Sequence, residues 1–299
     1  SGPLGNMVDA FYGILGDGKT AVIEMAAASG LQLIDKKKQD PTETTTYGTG
    51  QLIKAALNKE VEKIIIGIGG SATNDCGVGM AQALGGKFLD KNNNQIDSGG
   101  KNLINIDKID LSELDKRLAE VTIEVACDVE NPLYGKNGAA YVYAPQKGAT
   151  RVQVEKLDKG LRYIADIIER DLGVKTAEIA GAGAAGGLGA GLLAFLKAEL
   201  RSGIDIVLEA SKIKKRLEGV DLVITGEGKI DGQTSAGKTP VGVARAAKEK
   251  DIPVIGIAGT IGLEAEKVYD QGIDALFSII NAPLNLTEAI DNSPELLKD

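Results

Sequence analysis

Short β-branched runs alternate along this chain with stretches in which apolar side chains recur every three or four positions. Strands are expected at Thr20–Glu24, Lys63–Ile68, Val121–Cys127, Ala140–Tyr143, Asp221–Thr225, Pro253–Ile257 and Ala275–Ile280. Several of these are apolar throughout, as parallel strands covered on both faces are. Between residues 152 and 171, Val154, Leu157, Leu161, Ile164 and Ile168 form a single helical stripe. Gln51–Leu57, Val78–Leu84, Leu192–Leu200 and Val241–Glu249 read as helices in the same way. Strand, glycine turn and helix recur, which predicts an α/β fold of two domains with largely parallel or mixed sheets. A boundary is expected near Ser211, giving domains 1–210 and 211–299, the second flavodoxin-like. The Asn-, Asp- and Gly-rich segment from Lys87 to Glu120 is expected to wrap the surface of the first.

Composition narrows the chemistry. Aromatic residues are 4% and Trp is absent, so the core must be aliphatic. The 39 glycines have no collagen-like period and point instead to tight turns and close backbone approaches. A net charge of −8 argues against nucleic acid or an anionic membrane as the main partner. No apolar run approaches the ~20 residues of a membrane span. Cys76 and Cys127 suggest no disulfide framework, so a reducing, cytoplasmic setting is expected. The chain contains no His, which excludes Ser-His-Asp and Cys-His catalysis and His-ligated metals. Acid–base work then falls to Asp, Glu, Lys or Tyr, and a metal would be a hard, oxygen-ligated ion such as Mg²⁺.

Four segments carry candidate chemistry. In Ile66-Gly-Ile-Gly-Gly-Ser-Ala-Thr-Asn-Asp75 a buried strand runs into glycines, hydroxyls and an amide. That order aims backbone N–H groups of Gly69 and Gly70, with Ser71, Thr73 and Asn74, at an anion. An ordinary capped strand–helix turn reads the same way. Gly181-Ala-Gly-Ala-Ala-Gly186 matches a dinucleotide fingerprint, with Asp205 about 20 residues on, but lacks a convincing strand before it. Close helix packing or a phosphate-facing helix start accounts for these glycines better. Thr225-Gly-Glu-Gly-Lys-Ile-Asp231 reads as a glycine turn, and Gly232–Thr239 matches GxxxxGK[ST] without following its strand directly. Glu227, Lys229, Asp231 and Lys238 form a mixed-charge cluster there, suited to Mg²⁺ and phosphate or simply to solvent. Finally, Asp128 in Ala126–Leu133 stands at a strand's carboxyl end, where open α/β sheets bind ligands.

Taken together, SGPLG, GILGDGKTAVIEMAAASGL, GIGGSATND, ACDVENPL, APQKGA, GAGAAGGLGAG and ITGEGKIDGQT–GK resemble the bacterial glycerate kinase family in order and spacing. The resemblance runs from Ser1 to about Pro283. It implies ATP-dependent phosphorylation of D-glycerate, at O2, in a cleft between two α/β domains. Members of that family normally carry an N-terminal segment before GPLG, and the C-terminus is also short for the family. The chain, and with it the sheet of the second domain, is therefore expected to be incomplete.

Phosphoryl transfer needs positioning, charge neutralisation and removal of a hydroxyl proton. On this reading Asp128 orients or deprotonates the substrate hydroxyl, and Ser71, Thr73, Asn74, Asp75 and Lys147 contact glycerate or the transferred group. Gly69, Gly70, Gly226, Gly228, Lys229 and Gly237 hold phosphate, Lys238 assists transfer, and Glu227 and Asp231 hold Mg²⁺. The expected partners are glycerate and ATP, without nucleic acid or membrane, and the reading admits a homodimer. Its rivals are a truncated, inactive kinase core, a non-catalytic carboxylate-binding module, and a nicotinamide dehydrogenase using Gly181–Gly186.

Overall fold

The computed structural model describes residues 1–236 and 238–298. The described residues divide into two compact units, Ser1–Gly203 and Ile204 onward. The strands of the first unit are β1 (Gly13–Ile14), β2 (Thr20–Glu24), β3 (Lys63–Gly67), β4 (Lys87–Leu89), β5 (Lys108–Asp110), β6 (Thr122–Ala126) and β7 (Glu199–Arg201). One sheet has the order β1-β2-β3-β6-β7, with β2, β3, β6 and β7 parallel and β1 antiparallel to β2. Ile23, Ile64, Ile66 and Val125 are fully buried within it. Glu124 on β6 lies between Lys63 of β3 (Nζ–Oε2 2.8 Å) and Arg201 of β7 (Nη1–Oε1 2.7 Å), so parallel neighbours compensate an otherwise costly buried carboxylate.

The α-helices of this unit are α1 (Ala26–Ser29), α2 (Tyr47–Leu57), α3 (Val78–Ala83), α4 (Ala139–Tyr143), α5 (Arg151–Leu172) and α6 (Ala184–Leu196). The apolar stripe read for α5 is buried as expected, and a Thr150/Gln153 capping box opens the helix. Three expectations change here. Ala140–Tyr143 is helical, because Ala139, Ala140 and Ala144 bury into the core while Tyr141 and Val142 face outward. The helix starting before Leu192 ends at Leu196, where Lys197 turns left-handed, and Glu199–Arg201 joins the sheet beside β6. The segment 87–120 is more than a surface wrap. It forms the antiparallel pair β4–β5 and contributes Phe88, Leu103, Ile106 and Ile109 to the core.

The second unit contains helices α7 (Gly203–Ala210, whose first residue closes the first unit), α8 (Ile213–Arg216), α9 (Thr239–Lys248), α10 (Leu286–Asp291) and α11 (Ser293–Leu296). Its strands β8 (Val223–Ile230), β9 (Val254–Ile261) and β10 (Ala275–Ser278) form a parallel sheet of order β10-β9-β8. Val241, Ala244 and Ala247 of α9 bury with Val223, Val254 and Ala258 in a separate core. Gly226–Ile230, expected as a turn, continues β8: Gly226 pairs with Ile257 and Lys229 with Thr260. A Cβ at Gly226 would stand 2.4 Å from the Ile257 carbonyl oxygen, so glycine here serves close strand pairing. Both units are α/β.

Candidate active site

Parallel strands deliver their following residues to one sheet edge, and in the first unit that edge carries a pocket of about 460 Å³. β3 leads into Gly69, Gly70 and Ser71, and β6 into Cys127 and Asp128. α4 and the turn Pro145–Lys147 bring Tyr143, Gln146 and Lys147, while Ala184 and Ala185 of α6 close another side. The glycine turn is pinned from behind, since Leu31 N–H donates to the Gly70 carbonyl and Ala72 N–H to that of Ser29 (both 2.9 Å).

Lys147 is 2% exposed, yet its Nζ meets only neutral partners: Ser71 Oγ and the Thr73 carbonyl, both at 2.7 Å. Burial pulls its pKa down to about 7, although Asp75 nearby favours the charged form. Asp75 itself is buried. One of its oxygens accepts from Thr46 N–H (2.7 Å), Thr46 Oγ1 (2.9 Å) and Gly79 N–H (3.3 Å), and the other from Gly77 N–H (3.3 Å). Desolvation raises its pKa against those bonds. Backbone and hydroxyl donors thus tie this carboxylate to the start of α2 and the turn before α3, as a structural anchor. Thr73 is also fully buried and donates to the Ala185 carbonyl at 3.5 Å. Asn74 is buried with neither side-chain amide atom partnered by protein.

The glycine-rich segment explains that burial. The backbone of α6 turns left-handed at Ala185, Gly186 and Gly187, and a Cβ on Gly186 would sit 1.9 Å from the Thr73 carbonyl oxygen. Gly186 therefore lets one backbone lie directly on the other. The residues before Gly181 form a turn, so the dinucleotide fingerprint lacks its strand.

Asp128 is exposed at the pocket and held by one oxygen, which accepts the Gly203 N–H at 2.8 Å. Beside it, burial raises the pKa of the Cys127 thiol, and that of the Tyr143 phenol is raised mainly for the same reason, so both are protonated at neutral pH. The Tyr143 hydroxyl donates to Asn131 Oδ1 at 2.6 Å.

In the second unit, Gly226, Glu227, Gly228 and Lys229 line an apolar-walled groove of about 860 Å³. Asp231 and Lys238 are not among its walls. Glu227 Oε1 accepts from the buried Thr234 hydroxyl at 2.6 Å, and Thr234 Oγ1 in turn accepts the Asp231 N–H at 3.2 Å. Lys229 pairs with Asp231 at 2.9 Å, and its hydrogen bond is the main cause that lowers the Asp231 pKa. Lys238 is exposed and stands immediately before α9. Gly237 lies outside the described residues.

The structure thus gathers Gly69, Gly70, Ser71, Asp128 and Lys147 into one pocket and sets Thr73, Asn74 and Asp75 behind it. It adds Tyr143, Gln146, Gly203 and Thr234, which sequence reasoning missed. Thr234 lies within the GQT motif and carried a signal; Gly203 was visible only through its approach to Asp128.

The fold and this site define an α/β enzyme for a small anionic substrate, with its pocket at the carboxyl ends of parallel strands. A profile of the Glycerate kinase family matches residues 1–299, and the chain belongs to that family. It is 55% identical to the glycerate kinase of Bacillus subtilis (strain 168) over 298 residues, covering 100% of this chain and 78% of the relative. It is 53% identical to the glycerate 2-kinase of Escherichia coli (strain K12) over 289 residues, 97% of this chain and 76% of the relative. A crystal structure described as that of a "putative glycerate kinase 2" from Salmonella typhimurium LT2 superposes with a TM-score of 0.89 at 52% identity, covering 99% of this chain and 78% of that one. No helix among the described residues is long and apolar enough to cross a membrane.

Proposed function

We propose that the chain transfers the terminal phosphoryl group of ATP to D-glycerate, giving 2-phosphoglycerate, in the cytoplasm. The observation that carries the substrate assignment is Lys147, a buried amine with neutral partners only, beside Ser71 in the pocket that presents Asp128. A buried cation without a counter-charge is costly, and a small carboxylate supplies that charge. Lys147, Ser71 and the Gly69–Gly70 backbone hold the glycerate carboxylate. Asp128 accepts the proton of the attacking hydroxyl at its carboxylate, while the Gly203 N–H keeps the group oriented. Apolar neighbours such as Ile68 and Ala184 exclude water from the reacting oxygen.

Lys229 and Lys238 offer charge to the nucleotide phosphates. The donor set fits Mg²⁺ carried on ATP: such an ion needs only one or two carboxylates, the rest coming from phosphate and water. Glu227 would hold it and Asp231 would assist, since Asp231 is shared with Lys229. When bound, the metal neutralises charge developing on the phosphoryl oxygens. A homodimer is compatible with this reading.

ADP release coupled to D-glycerate, with the product resolved by phosphorus NMR, tests the proposal. The expected product is the 2-phosphate. ADP release indifferent to glycerate would overturn it.

A further inference from the structure

Lys147 has geometry that serves two protonation states. As an ammonium it donates to Ser71 Oγ and to the Thr73 carbonyl; as a free amine it donates to Thr73 and accepts the Ser71 hydroxyl. Neither bond is lost on deprotonation. Among the described residues no carboxylate stands within ion-pair distance of Nζ. The surrounding elements bring few titratable groups. Asp75, from the turn after β3, favours the ammonium through space but spends its oxygens on Thr46, Gly77 and Gly79. Asp128 and Cys127 follow β6, Tyr143 ends α4, and α6 contributes only Ala184 and Ala185. Cys127 and Tyr143 stay neutral near pH 7, so neither supplies a counter-charge.

We infer that the pocket binds its carboxylate substrate together with one proton, taken up from water at Lys147 Nζ. The inference rests on placing glycerate in this pocket. In the empty pocket the amine is desolvated without an anion, which favours the neutral form; an arriving carboxylate reverses that balance. The step is balanced as amine plus proton to ammonium, with no covalent change in the substrate. Lys147 has a pKa of about 7 before binding. Roughly nine-tenths of the free protein is therefore neutral at this position near pH 8. Substrate affinity should be nearly flat at and below about pH 6 and weaken about tenfold per pH unit well above pH 7, because the competent form becomes scarcer. This loss comes from the free protein and needs no change in the substrate, which is already ionised.

Calorimetric titration of D-glycerate without nucleotide, in two buffers of different ionisation enthalpy, reads the proton directly. The expected result is an uptake near one proton per site at about pH 8.5 and close to none at about pH 6. Lys147→Arg, charged throughout, should bind with no uptake at either pH. Binding with no uptake at high pH, a dissociation constant flat from pH 6 to 9, or an uptake that survives Lys147→Arg would each overturn the inference. The wild-type pH series stands even if that variant does not fold. Failure to bind at pH 6, where Lys147 is charged, would instead remove the substrate assignment and this inference with it.

Discussion

The two units use the same strand–helix grammar but treat polarity in opposite ways. In the first, charge is taken inside and answered: Glu124 lies between Lys63 and Arg201, and Asp75 is surrounded by N–H and hydroxyl donors. Lys147 is buried too, bonded to the Ser71 hydroxyl and the Thr73 carbonyl, and it faces the pocket. In the second unit the candidate lysine Lys229 is exposed and pairs with the half-buried Asp231, while apolar side chains face open space. Ile224, Phe277 and Ile290 are 61%, 56% and 61% exposed. On the proposed assignment the contrast has a physical sense: a desolvated lysine discriminates strongly for a carboxylate, whereas phosphates can be met by charges nearer solvent.

Asp128→Asn gives the largest expected effect in this comparison. Turnover should fall about 10²- to 10⁴-fold with little change in KM for glycerate, as loss of a general base does. An unchanged kcat in ADP-release assays would put the base elsewhere. Next comes Asp75→Ala, which strips a common acceptor from the N–H groups of Thr46, Gly77 and Gly79. The cost should be about 3 kcal/mol, falling on the first unit. Denaturant unfolding checks this; a cost well under 1 kcal/mol would mean that Asp75 is not the anchor its contacts describe.

A smaller effect is expected at Gly203. A Cβ there would lie 3.0 Å from Asp128 Oδ2 while the N–H donor remains. Gly203→Ala should lower kcat about tenfold by displacing the carboxylate a few tenths of an ångström. In an Asp128→Asn background it should add nothing, and additive losses would sever the link between the two residues. Smallest of all, Phe277→Ser with Ile290→Gln should change stability by less than ~0.5 kcal/mol and reduce binding of a hydrophobic dye. A loss above ~1 kcal/mol in thermal unfolding would show that this face is packed in solution.

Local pattern made much of the fold legible. Thr20–Glu24 is a strand at the bounds its β-branched run suggests, and the α5 stripe is buried residue for residue. Where pattern failed, a distant partner decided. The run Ala140–Tyr143 looks strand-like, but Ala139 and Ala140 seek the core from a helix, with Ala144 buried at its end. Glu199–Arg201 becomes a strand because β6 offers a free ladder edge. The glycines of GEGKI suggested a turn, yet the segment continues β8, and the neighbouring strand needs the missing side chain of Gly226.

The same division holds at the site. Order and residue type along the chain established an α/β class, excluded histidine chemistry and marked Ser71 and Asp128 as candidates, since these depend on short-range spacing and on which groups exist at all, while the family resemblance added Lys147. Tertiary structure alone separated Ser71 from Asp75, four positions apart in one motif, sending the first to the pocket and the second into the core. It also brought Lys147 to Ser71 across 76 residues. Burial and hydrogen-bond satisfaction are properties of assembled neighbours, so a motif can name the groups but not their solvation, and here solvation sets what the lysine can do.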